Sequence, residues 1–408
     1  MEPTILTRPE HNISRRNISS ATIKVLYHLK DEGFTAYLAG GGVRDLLLER
    51  NPKDFDVVTD ATPEQIRKIF RNCRLIGRRF RLAHIIFRGE IIETSTFRAP
   101  VPEDETEYCE NTFRTGEEGM VMRDNVFGTP EQDALRRDFT INALFYNIAD
   151  FSIIDYAGGL DDLAKKVVRV IGDPDKRFCE DPVRMIRAAR FAGTLGFDIE
   201  QTAYESICRN RDKLALASPS RMYEEVQKLF FCGHAKEVYA WLEKTDLLHP
   251  MFKDFSLWVD EDKMRHDWVI QTLEQMDRWR TAGLRVHPAL LFALIFGEYH
   301  EFLAQQLIEA GRAPLDAARE AVHNHLKGMC DNVRVPKQAI YQVSDIMSNQ
   351  LRFTRTKGRR PQRFMQQKGF LDAFLYFKLS SKTHQRHEEL LDFWTDLRQQ
   401  KGPSKPAS

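Results

Sequence analysis

The chain has 408 residues, 42% of them hydrophobic and 29% charged, which is typical of a water-soluble protein with two or three domains. The formal net charge is only +1, so overall charge does not indicate a nucleic-acid partner and any such signal must come from local clusters. No apolar run approaches about 18 residues, which excludes a membrane span. The six cysteines lack the close spacing of a zinc site, and we predict that they are reduced thiols in a cytoplasmic protein.

Strands and helices alternate in the N-terminal part of the chain. Residues 1–20 are polar and predict a flexible leader, and the apolar spacing of Ala21–Asp31 predicts a helix. Phe34–Ala39 predicts a strand that leads through a glycine triplet into a helix over Val43–Glu49. The next predicted elements are a strand over Phe55–Thr59, a helix from Pro63 to Phe70, a hairpin of Leu82–Phe87 and Glu90–Phe97, and strands at Phe139–Ile148, Ile153–Tyr156 and Val167–Ile171.

After about Asp181 the sequence predicts only helices, and the acidic segment Pro100–Gly119 predicts a solvated loop. We therefore predict an α+β fold. Its head carries a mixed β-sheet over residues 21–172, followed by an all-helical neck (173–235), body (236–400) and flexible tail (401–408). The predicted helices are Pro182–Leu195, Arg221–Phe230, Ala235–Leu242, Trp268–Trp279, Pro288–Phe296, Pro314–Met329, Gln338–Gln350 and Gln362–Lys378.

A glycine-rich turn follows the first predicted strand of the head. There the chain passes through Gly40 and Gly41 into a helix whose N-terminus offers free amides and a positive dipole end. Glycine lets a phosphate approach the backbone, and Arg44 would add a charge-assisted contact. Taken alone, the same pattern is equally typical of a tight turn without a ligand.

Two carboxylates follow at a strand end. Asp54 and Asp56 are two residues apart and therefore point to the same face, with Phe55 between them directed to the core. Such a pair repels itself unless a cation joins it, and oxygen-rich sites suit Mg²⁺. A solvent-facing pair is the alternative, which the glycine turn just upstream disfavours.

Phosphoryl transfer with two metal ions needs a further acidic ligand on a nearby strand. Glu93, in the predicted hairpin, and Asp138, in the segment Arg136–Asn142, are the two candidates. Either is also compatible with a plain surface carboxylate, and the sequence alone does not rank them.

These motifs together resemble one known family. The string from Gly40 to Asp56, with Arg137–Asn142 and Glu180–Arg184, is similar to the bacterial class of the DNA polymerase beta superfamily, which contains tRNA CCA-adding enzymes and bacterial poly(A) polymerases. The match is strong over about residues 21–230 and loose over the rest. The resemblance implies a nucleotidyltransferase head that adds nucleotides to RNA 3′ ends, with ATP as substrate and Mg²⁺, or alternatively Mn²⁺, as cofactor.

The resemblance also implies a role for each motif residue of the head. Gly40, Gly41 and Arg44 would hold the triphosphate. Asp54 and Asp56 would be catalytic metal ligands, and Glu93 would occupy the family's third acidic position. In the Arg-Arg-Asp-Phe-Thr motif, Asp138 would lie by the nucleotide ribose as a further catalytic candidate, and the same nucleotide-binding segment contains Arg137 and Asn142.

A helix after the head would complete nucleotide binding in this family. Asp181 and Arg184 would meet the edge of the base, and Arg187 and Arg190 would face the phosphates. The spacing agrees, because these arginines lie near one face of a helix. A solvated basic stripe is the alternative interpretation of the same spacing.

Two basic clusters indicate RNA binding. Leu75–Ile85 resembles the signature of bacterial poly(A) polymerases, and Arg67–Arg81 contains seven basic residues and no acid. A second cluster, Arg352–Arg363, has no acid and includes Phe353, which suggests stacking on single-stranded RNA. A basic surface helix and a mobile basic loop are the respective alternatives. The candidate RNA contacts are Arg78, Arg79, Arg81, Arg359, Arg360 and Arg363.

Three functional hypotheses follow. The favoured one is a template-independent poly(A) polymerase that adds AMP from ATP to RNA 3′ ends in mRNA processing and decay. A tRNA CCA-adding enzyme is the alternative, and an inactive RNA-binding protein of the same fold is the third. The carboxylates argue against the third, because an idle acidic cluster would only destabilise the head. The expected partners are RNA 3′ ends, ATP, and RNA-decay or RNA-chaperone proteins.

Overall fold

A computed structural model describes residues 2–77, 81–99, 127–284 and 286–400 of the chain. The chain forms two compact units. The head unit comprises Met1–Arg184 and Phe197–Asn210, and the helical unit comprises Met185–Gly196 and Arg211–Ser408. The head unit thus includes residues 173–184 and 197–210, which the sequence analysis assigned to the neck.

A mixed β-sheet lies at the centre of the head unit, as predicted. Its strand order is β1-β8-β7-β2-β3-β6-β5-β4. The pair β3–β6 is parallel and the other neighbouring pairs are antiparallel. The strands are β1 (Thr4–Leu6), β2 (Ala36–Ala39), β3 (Asp56–Thr59), β4 (Cys73–Ile76), β5 (Leu82–Phe87), β6 (Glu90–Thr96), β7 (Leu144–Asn147) and β8 (Ile153–Asp155). Separately, β9 (Val167–Val168) and β10 (Asp198–Ile199) pair in parallel.

The N-terminal segment belongs to this sheet. Strand β1 pairs antiparallel with β8, with Thr4 opposite Asp155. Ile13 and Ile18 are buried, at 1% and 4% exposure. The structure therefore places residues 4–18 in the head unit, where the sequence analysis predicted a flexible leader, because these two apolar side chains and a strand pairing fix the segment.

Several helices of the head unit begin at side-chain caps. Ser19 accepts a hydrogen bond from the amide of Thr22, and the helix that follows buries Val25, Leu26 and Leu29. Thr62 forms a capping box with Gln65 before the helix that starts at Pro63. The helices are α1 (Ser20–Asp31), α2 (Gly41–Leu47), α3 (Pro63–Ile69), α4 (Pro130–Leu135), α5 (Gly159–Lys165), α6 (Pro174–Glu180), α7 (Val183–Leu195, which contains the unit boundary) and α8 (Gln201–Asn210).

The described part of the helical unit contains no strand, which confirms the predicted class, whereas the segment predicted as an all-helical neck also contains the two-residue strand β10 of the head unit. Its central helix, Pro288–Glu309, is buried on almost every side over its first ten residues and is much longer than predicted. Glycine at 297 lets Tyr376 pack directly against this helix, since a Cβ there would collide with the tyrosine ring. The helices are α9 (Pro219–Phe230), α10 (Ala235–Lys244), α11 (Leu248–Met251), α12 (Lys253–Asp260), α13 (Lys263–Thr281), α14 (Pro288–Glu309), α15 (Pro314–Gly328), α16 (Lys337–Asn349), α17 (Arg360–Met365), α18 (Phe370–Thr383) and α19 (Glu388–Gln399).

Two predicted elements differ from the structure for local reasons. The single helix predicted over Gln362–Lys378 is two helices, because Gly369 has a φ of 93° and breaks the helical path. The strand predicted over Phe139–Ile148 begins only at Leu144, after a 3-10 turn at Thr140–Asn142. Across the described ranges no helix is both long and apolar enough to cross a membrane, and Cys73, Cys179, Cys208, Cys232 and Cys330 are free thiols.

Candidate active site

The glycine turn has a geometry that only glycine tolerates. Gly40 has a φ of 71°, and its amide donates to the carbonyl oxygen of Leu144 over 3.1 Å. A Cβ at Gly40 would lie 2.9 Å from Nη1 of Arg137. Both the left-handed backbone and the guanidinium directly beside it therefore require glycine at this position.

The acidic residues meet on adjacent strands. In the sheet register Ala39 lies opposite Asp56, and Asp56 lies opposite Glu93. Residues in register share a face of the sheet, so the Asp56 and Glu93 side chains stand next to each other at the end of the glycine turn. Asp54 lies two residues before Asp56 and is exposed, as are Asp56 and Glu93.

His84 continues the same row across the sheet, and the sequence analysis did not identify it. It lies opposite Glu93 on β5, and its Nε2 is 3.5 Å from Glu93 Oε1. The alternation of side chains between the two faces of a strand indicated which residues of Leu82–Phe87 share a face of the sheet. It did not give the register that sets His84 against Glu93, because register depends on the partner strand.

The charges around Asp56 favour a cation. Desolvation and repulsion from Glu93 raise the pKa of Asp56 to about 6, Arg137 opposes this shift, and Asp54 adds to it. A positive charge placed beside Asp56 would favour its charged form against both effects. The predicted grouping of these acids is thus observed, although their roles remain predictions.

The donor set fits a divalent cation shared with a substrate. In the part of the chain that the structure describes, no three His, Cys, Asp or Glu side chains stand close enough to ligate one ion by themselves. Magnesium is commonly held by one or two carboxylates together with substrate phosphates. Asp54 and Asp56 fit this arrangement, with Glu93 beside them.

A chain of hydrogen bonds connects the Arg-Arg-Asp-Phe-Thr motif to the glycine turn. Asp138 Oδ1 accepts from the amide of Phe139 at 2.9 Å and from Asn142 Nδ2 at 3.2 Å. Asn142 Oδ1 accepts from Arg44 Nη1 at 2.6 Å, and Arg44 also pairs with Asp45. Arg44 is only 8% exposed, so it supports the turn from within the head unit.

Asp133 and Arg177 hold this motif in place, and the sequence analysis did not identify either. Asp133 is 1% exposed and pairs with both Arg136 and Arg137, at 3.1 and 2.9 Å. Arg177 Nη2 donates to the carbonyl oxygens of Arg136 and Arg137. The spacing of Asp133 three and four residues before the arginines was a readable signal for the first pair.

The base-edge candidates lie at the start of α7. Asp181 Oδ1 accepts from the amide of Val183, as a helix cap does. Arg184 Nη1 donates to the carbonyl oxygen of Arg177 and to the carboxylate of Glu180. Within the described ranges the other guanidinium nitrogens of Arg184 have no hydrogen-bond partner and can donate to a ligand.

In the helical unit, Glu225 organises the two remaining arginines of α7. This carboxylate is 6% exposed and lies 3.8 Å from Arg187 and 3.6 Å from Arg190. Lys228 pairs with it at 2.7 Å. Arg187 and Arg190 of α7 and Lys228 of α9 thus surround one buried carboxylate.

The candidate RNA contacts fall into three groups. Arg78 and Arg79 lie outside the described residues. Arg81 pairs with Glu64, an acid that lies before the basic run in sequence. Arg359, Arg360 and Arg363 are all exposed, at and within α17.

Phe353 does not have the predicted role of stacking on RNA. It is fully buried, and its ring stacks on Phe377 with centroids 4.4 Å apart. Trp394 donates its indole N–H to the carbonyl oxygen of Phe353 at 2.8 Å. The residue anchors an aromatic core below the basic surface, because Phe353 is surrounded by other rings.

Three family patterns match the chain in order. "Poly A polymerase head domain" matches residues 36–169, and "Probable RNA and SrmB- binding site of polymerase A" matches residues 196–258. "Polymerase A arginine-rich C-terminus" matches residues 310–407. These segments cover both units.

Curated relatives and solved structures extend the likeness. Poly(A) polymerase I of Salmonella typhimurium is 42% identical and aligns with 98% of this chain and 87% of its own length. The CCA-adding enzyme of Lactobacillus helveticus is 36% identical over 53% of this chain and 51% of its own. The crystal structure of the Bacillus stearothermophilus CCA-adding enzyme in complex with CTP has a TM-score of 0.62 at 23% identity, covering 92% of this chain and 82% of that one. The structural likeness shows a shared fold, and the sequence match to the poly(A) polymerase extends over nearly the whole chain.

Proposed function

The chain belongs to the family of bacterial poly(A) polymerases and is a nucleotidyltransferase, and we propose that it adds AMP from ATP to the 3′ ends of RNA without a template. One observation of the structure carries the chemistry: Asp56 and Glu93 stand in register on adjacent strands at the end of the glycine turn. The near full-length match to a poly(A) polymerase favours A-tail synthesis over CCA addition, because the CCA-adding relative matches only about half of the chain.

We propose that the triphosphate of ATP lies over the glycine turn. Gly40 and Gly41 carry no side chain that would keep a phosphate from the backbone, and the guanidinium groups of Arg137 and Arg44 lie beside them. Arg44 lies beneath the turn with its guanidinium engaged by Asn142 and Asp45, so its role is to position the turn. Arg137, beside Gly40 and near Asp56, contributes positive charge where the phosphates would lie.

Asp54 and Asp56 would hold Mg²⁺, or alternatively Mn²⁺, with the substrate phosphates as the remaining ligands. When bound, the ion supplies charge neutralisation of the triphosphate and activation of the attacking hydroxyl. Glu93 is our candidate for the third acidic position because it adjoins Asp56. Asp138 is instead bonded to Asn142 and the backbone, which suits a role beside the ribose.

The transfer step uses these positions as follows. The RNA 3′-hydroxyl oxygen forms a bond to the α-phosphorus of ATP, and the bond from that phosphorus to the bridging oxygen breaks, releasing pyrophosphate. The hydroxyl proton passes to a carboxylate of the acidic group, for which Glu93 is exposed and adjacent. Arg184 and Asp181 would select adenine, and Arg187 and Arg190 would face the phosphates.

We further propose that the protein acts in the cytoplasm, in mRNA processing and decay. Its RNA contacts would include Arg81 and the exposed arginines of α17. Protein partners would come from the RNA-decay and RNA-chaperone machinery, in keeping with the family segment at residues 196–258.

An extension assay with single nucleotides tests the function. Wild-type protein is incubated with an unstructured RNA or with a tRNA lacking its terminal CCA, and each NTP is supplied alone or together with the others. Long A ladders on the unstructured RNA, with poor use of CTP, are expected. Addition of two C residues and one A to the tRNA, followed by arrest, would instead establish CCA addition. No magnesium-dependent incorporation on either RNA would favour an inactive RNA-binding protein.

A further inference from the structure

The N-terminal segment forms one wall of a basic pocket in the head unit. The pocket has a volume of about 560 Å³ and is lined by Arg8, Ser14, Arg15, Arg16, Ile23, Tyr146 and Phe151. We call it the N-terminal pocket. Its volume is sufficient for a nucleotide-sized group.

The wall is held in a defined position. His11 Nδ1 accepts from the amide of Ile13 at 3.2 Å, which leaves Nε2 to donate to the carbonyl oxygen of Phe151 at 2.8 Å. Arg15 Nη1 donates to the hydroxyl of Tyr27 at 2.8 Å. These bonds, with the β1–β8 pairing, place the arginines as part of the fold.

The pocket is positively charged and contains no compensating acid. In the described ranges, no carboxylate forms an ion pair with Arg8, Arg15 or Arg16, and the hydrogen bonds of Arg8 and Arg15 go to neutral acceptors. The nearby carboxylate of Glu10 is turned onto Thr7, at 2.6 Å from its hydroxyl. Three arginines thus line one cavity, and a phosphate there can accept charge-assisted hydrogen bonds from them.

The pocket is separate from the active site. Side chains of successive strand residues point to opposite faces, so Tyr146 of the pocket and Phe145 lie on opposite sides of β7. Phe145 is in register with Ala39, and Ala39 is in register with Asp56. The carboxylates therefore share the face of Phe145, and the N-terminal pocket opens on the other face.

We propose that the N-terminal pocket binds phosphodiester groups of the RNA, upstream of the 3′ end that enters the active site. Arg15 covers one face of the Phe151 ring, with its Cζ 4.6 Å from the ring centroid, so that face is closed to stacking by a base, whereas the arginines that line the pocket can contact phosphate. Such contacts carry no sequence information, which suits a polymerase that extends many RNAs. The proposal rests on the proposed function for the identity of the ligand.

The test compares a triple variant with a charge-matched control in the full-length protein. The pocket variant carries Arg8→Gln, Arg15→Gln and Arg16→Gln. The control carries the same loss of charge at exposed lysines of the head unit outside the pocket: Lys30→Gln, Lys165→Gln and Lys166→Gln. Binding of a labelled, unstructured RNA of about 25 nucleotides is measured by fluorescence anisotropy without ATP, over a range of salt concentrations. We expect the pocket variant to bind this RNA about tenfold more weakly, and its salt slope to fall by about 2, at roughly 0.7 for each lost single-strand phosphate contact.

A second variant and two further measurements distinguish loss of RNA binding at the pocket from unfolding and from a change at the ATP site. Arg16→Glu serves as a second variant. Because the Arg16 side chain makes no hydrogen bond or ion pair in the described ranges, this variant should weaken RNA binding without lowering the melting temperature. The KM for ATP and extension of a primer of about six nucleotides should remain unchanged in both pocket variants. If the pocket variant has the same RNA affinity and salt slope as the control variant, the proposal is overturned. Displacement of the RNA from the pocket by ATP alone would also overturn it, because the pocket would then be a site for free nucleotides. Failure of AMP addition by the wild type would count against the proposed function and leave the binding result to be judged separately.

Discussion

Replacing Asp56 with Asn separates the stability cost of a charged carboxylate at this position from the proposed catalytic role of Asp56. The pKa of Asp56 is raised from 3.8 to about 6, so the folded protein binds this proton more tightly than the unfolded chain does. Because the folded pKa is the higher one, the contribution of Asp56 to stability is complete below about pH 4 and is lost as the pH rises through about 6. Asn mimics the protonated acid at every pH, so the variant avoids this loss.

The size of the effect follows from the shift. Two pH units at 1.36 kcal/mol each give an upper limit of about 3 kcal/mol. Asp56 is exposed, and solvent screening reduces such interactions, so we expect a gain of about 1 kcal/mol in the free energy of unfolding at neutral pH. For a unit of this size that gain corresponds to a rise of about 2–4 °C in Tm.

Thermal melting of the metal-free protein is the assay. At about pH 7.5 Asp56→Asn should melt about 2–4 °C above the wild type, and at about pH 4 the two should coincide. Adding Mg²⁺ with a non-hydrolysable ATP analogue should raise the Tm of the wild type but not that of the variant, and the variant should have lost AMP transfer. Asp198→Asn is the control, because Asp198 is exposed and has no charged partner in the described ranges. A Tm for Asp56→Asn equal to or below that of the wild type near neutral pH would refute the account of a raised Asp56 pKa that costs the folded state stability.

The remaining predictions concern the support of the glycine turn, base selection and RNA binding. Asn142→Ala should reduce kcat by at least about tenfold and destabilise the head, because Arg44 and Asp138 each lose a buried partner worth about 1–3 kcal/mol. Steady-state kinetics and thermal melting measure the two effects, and an unchanged kcat would contradict the prediction. Arg184→Ala should weaken ATP use and reduce discrimination in extension assays with single NTPs, since a guanidinium donates to one base edge and not another; an unchanged preference for ATP would remove Arg184 from base recognition. Replacing Arg359, Arg360 and Arg363 with Gln should raise the RNA KM and lower the salt slope by about 2, with little change in the KM for ATP; an unaltered slope would mean that α17 does not contact RNA.

Local patterns were sufficient to predict most of the head. The change from strand to glycine turn to helix at Ala39–Gly42 and the hairpin around Gly89 follow from residue types and period alone. The sheet was correctly predicted to be mixed. The segment at residues 139–148 was not, because a buried apolar run does not by itself distinguish a strand from a 3-10 turn followed by a strand.

The sequence could not predict the register between paired strands or the burial of individual side chains. The sequence could not show that β3 and β6 pair in parallel with Asp56 opposite Glu93, and our preference for Glu93 over Asp138 as the third acidic residue rests on this register. Phe353 lies among basic residues in the sequence, and only the packing of α17–α19 shows that its ring is inside. The N-terminal residues are polar on average, so the two isoleucines that anchor them were outweighed in the composition.

The buried link between Asn142 and Arg44 explains why two distant motifs must act together. These residues are 98 positions apart in sequence, yet their side chains are joined by a 2.6 Å hydrogen bond. The sheet brings them together because β7, which follows Asn142, pairs with β2, which precedes the glycine turn. An arginine that is 8% exposed needs such acceptors to remain stable as a cation. Movement of residues 138–142 would therefore shift Arg44 and the turn together, which would couple the position that we propose for the ribose to the one that we propose for the triphosphate.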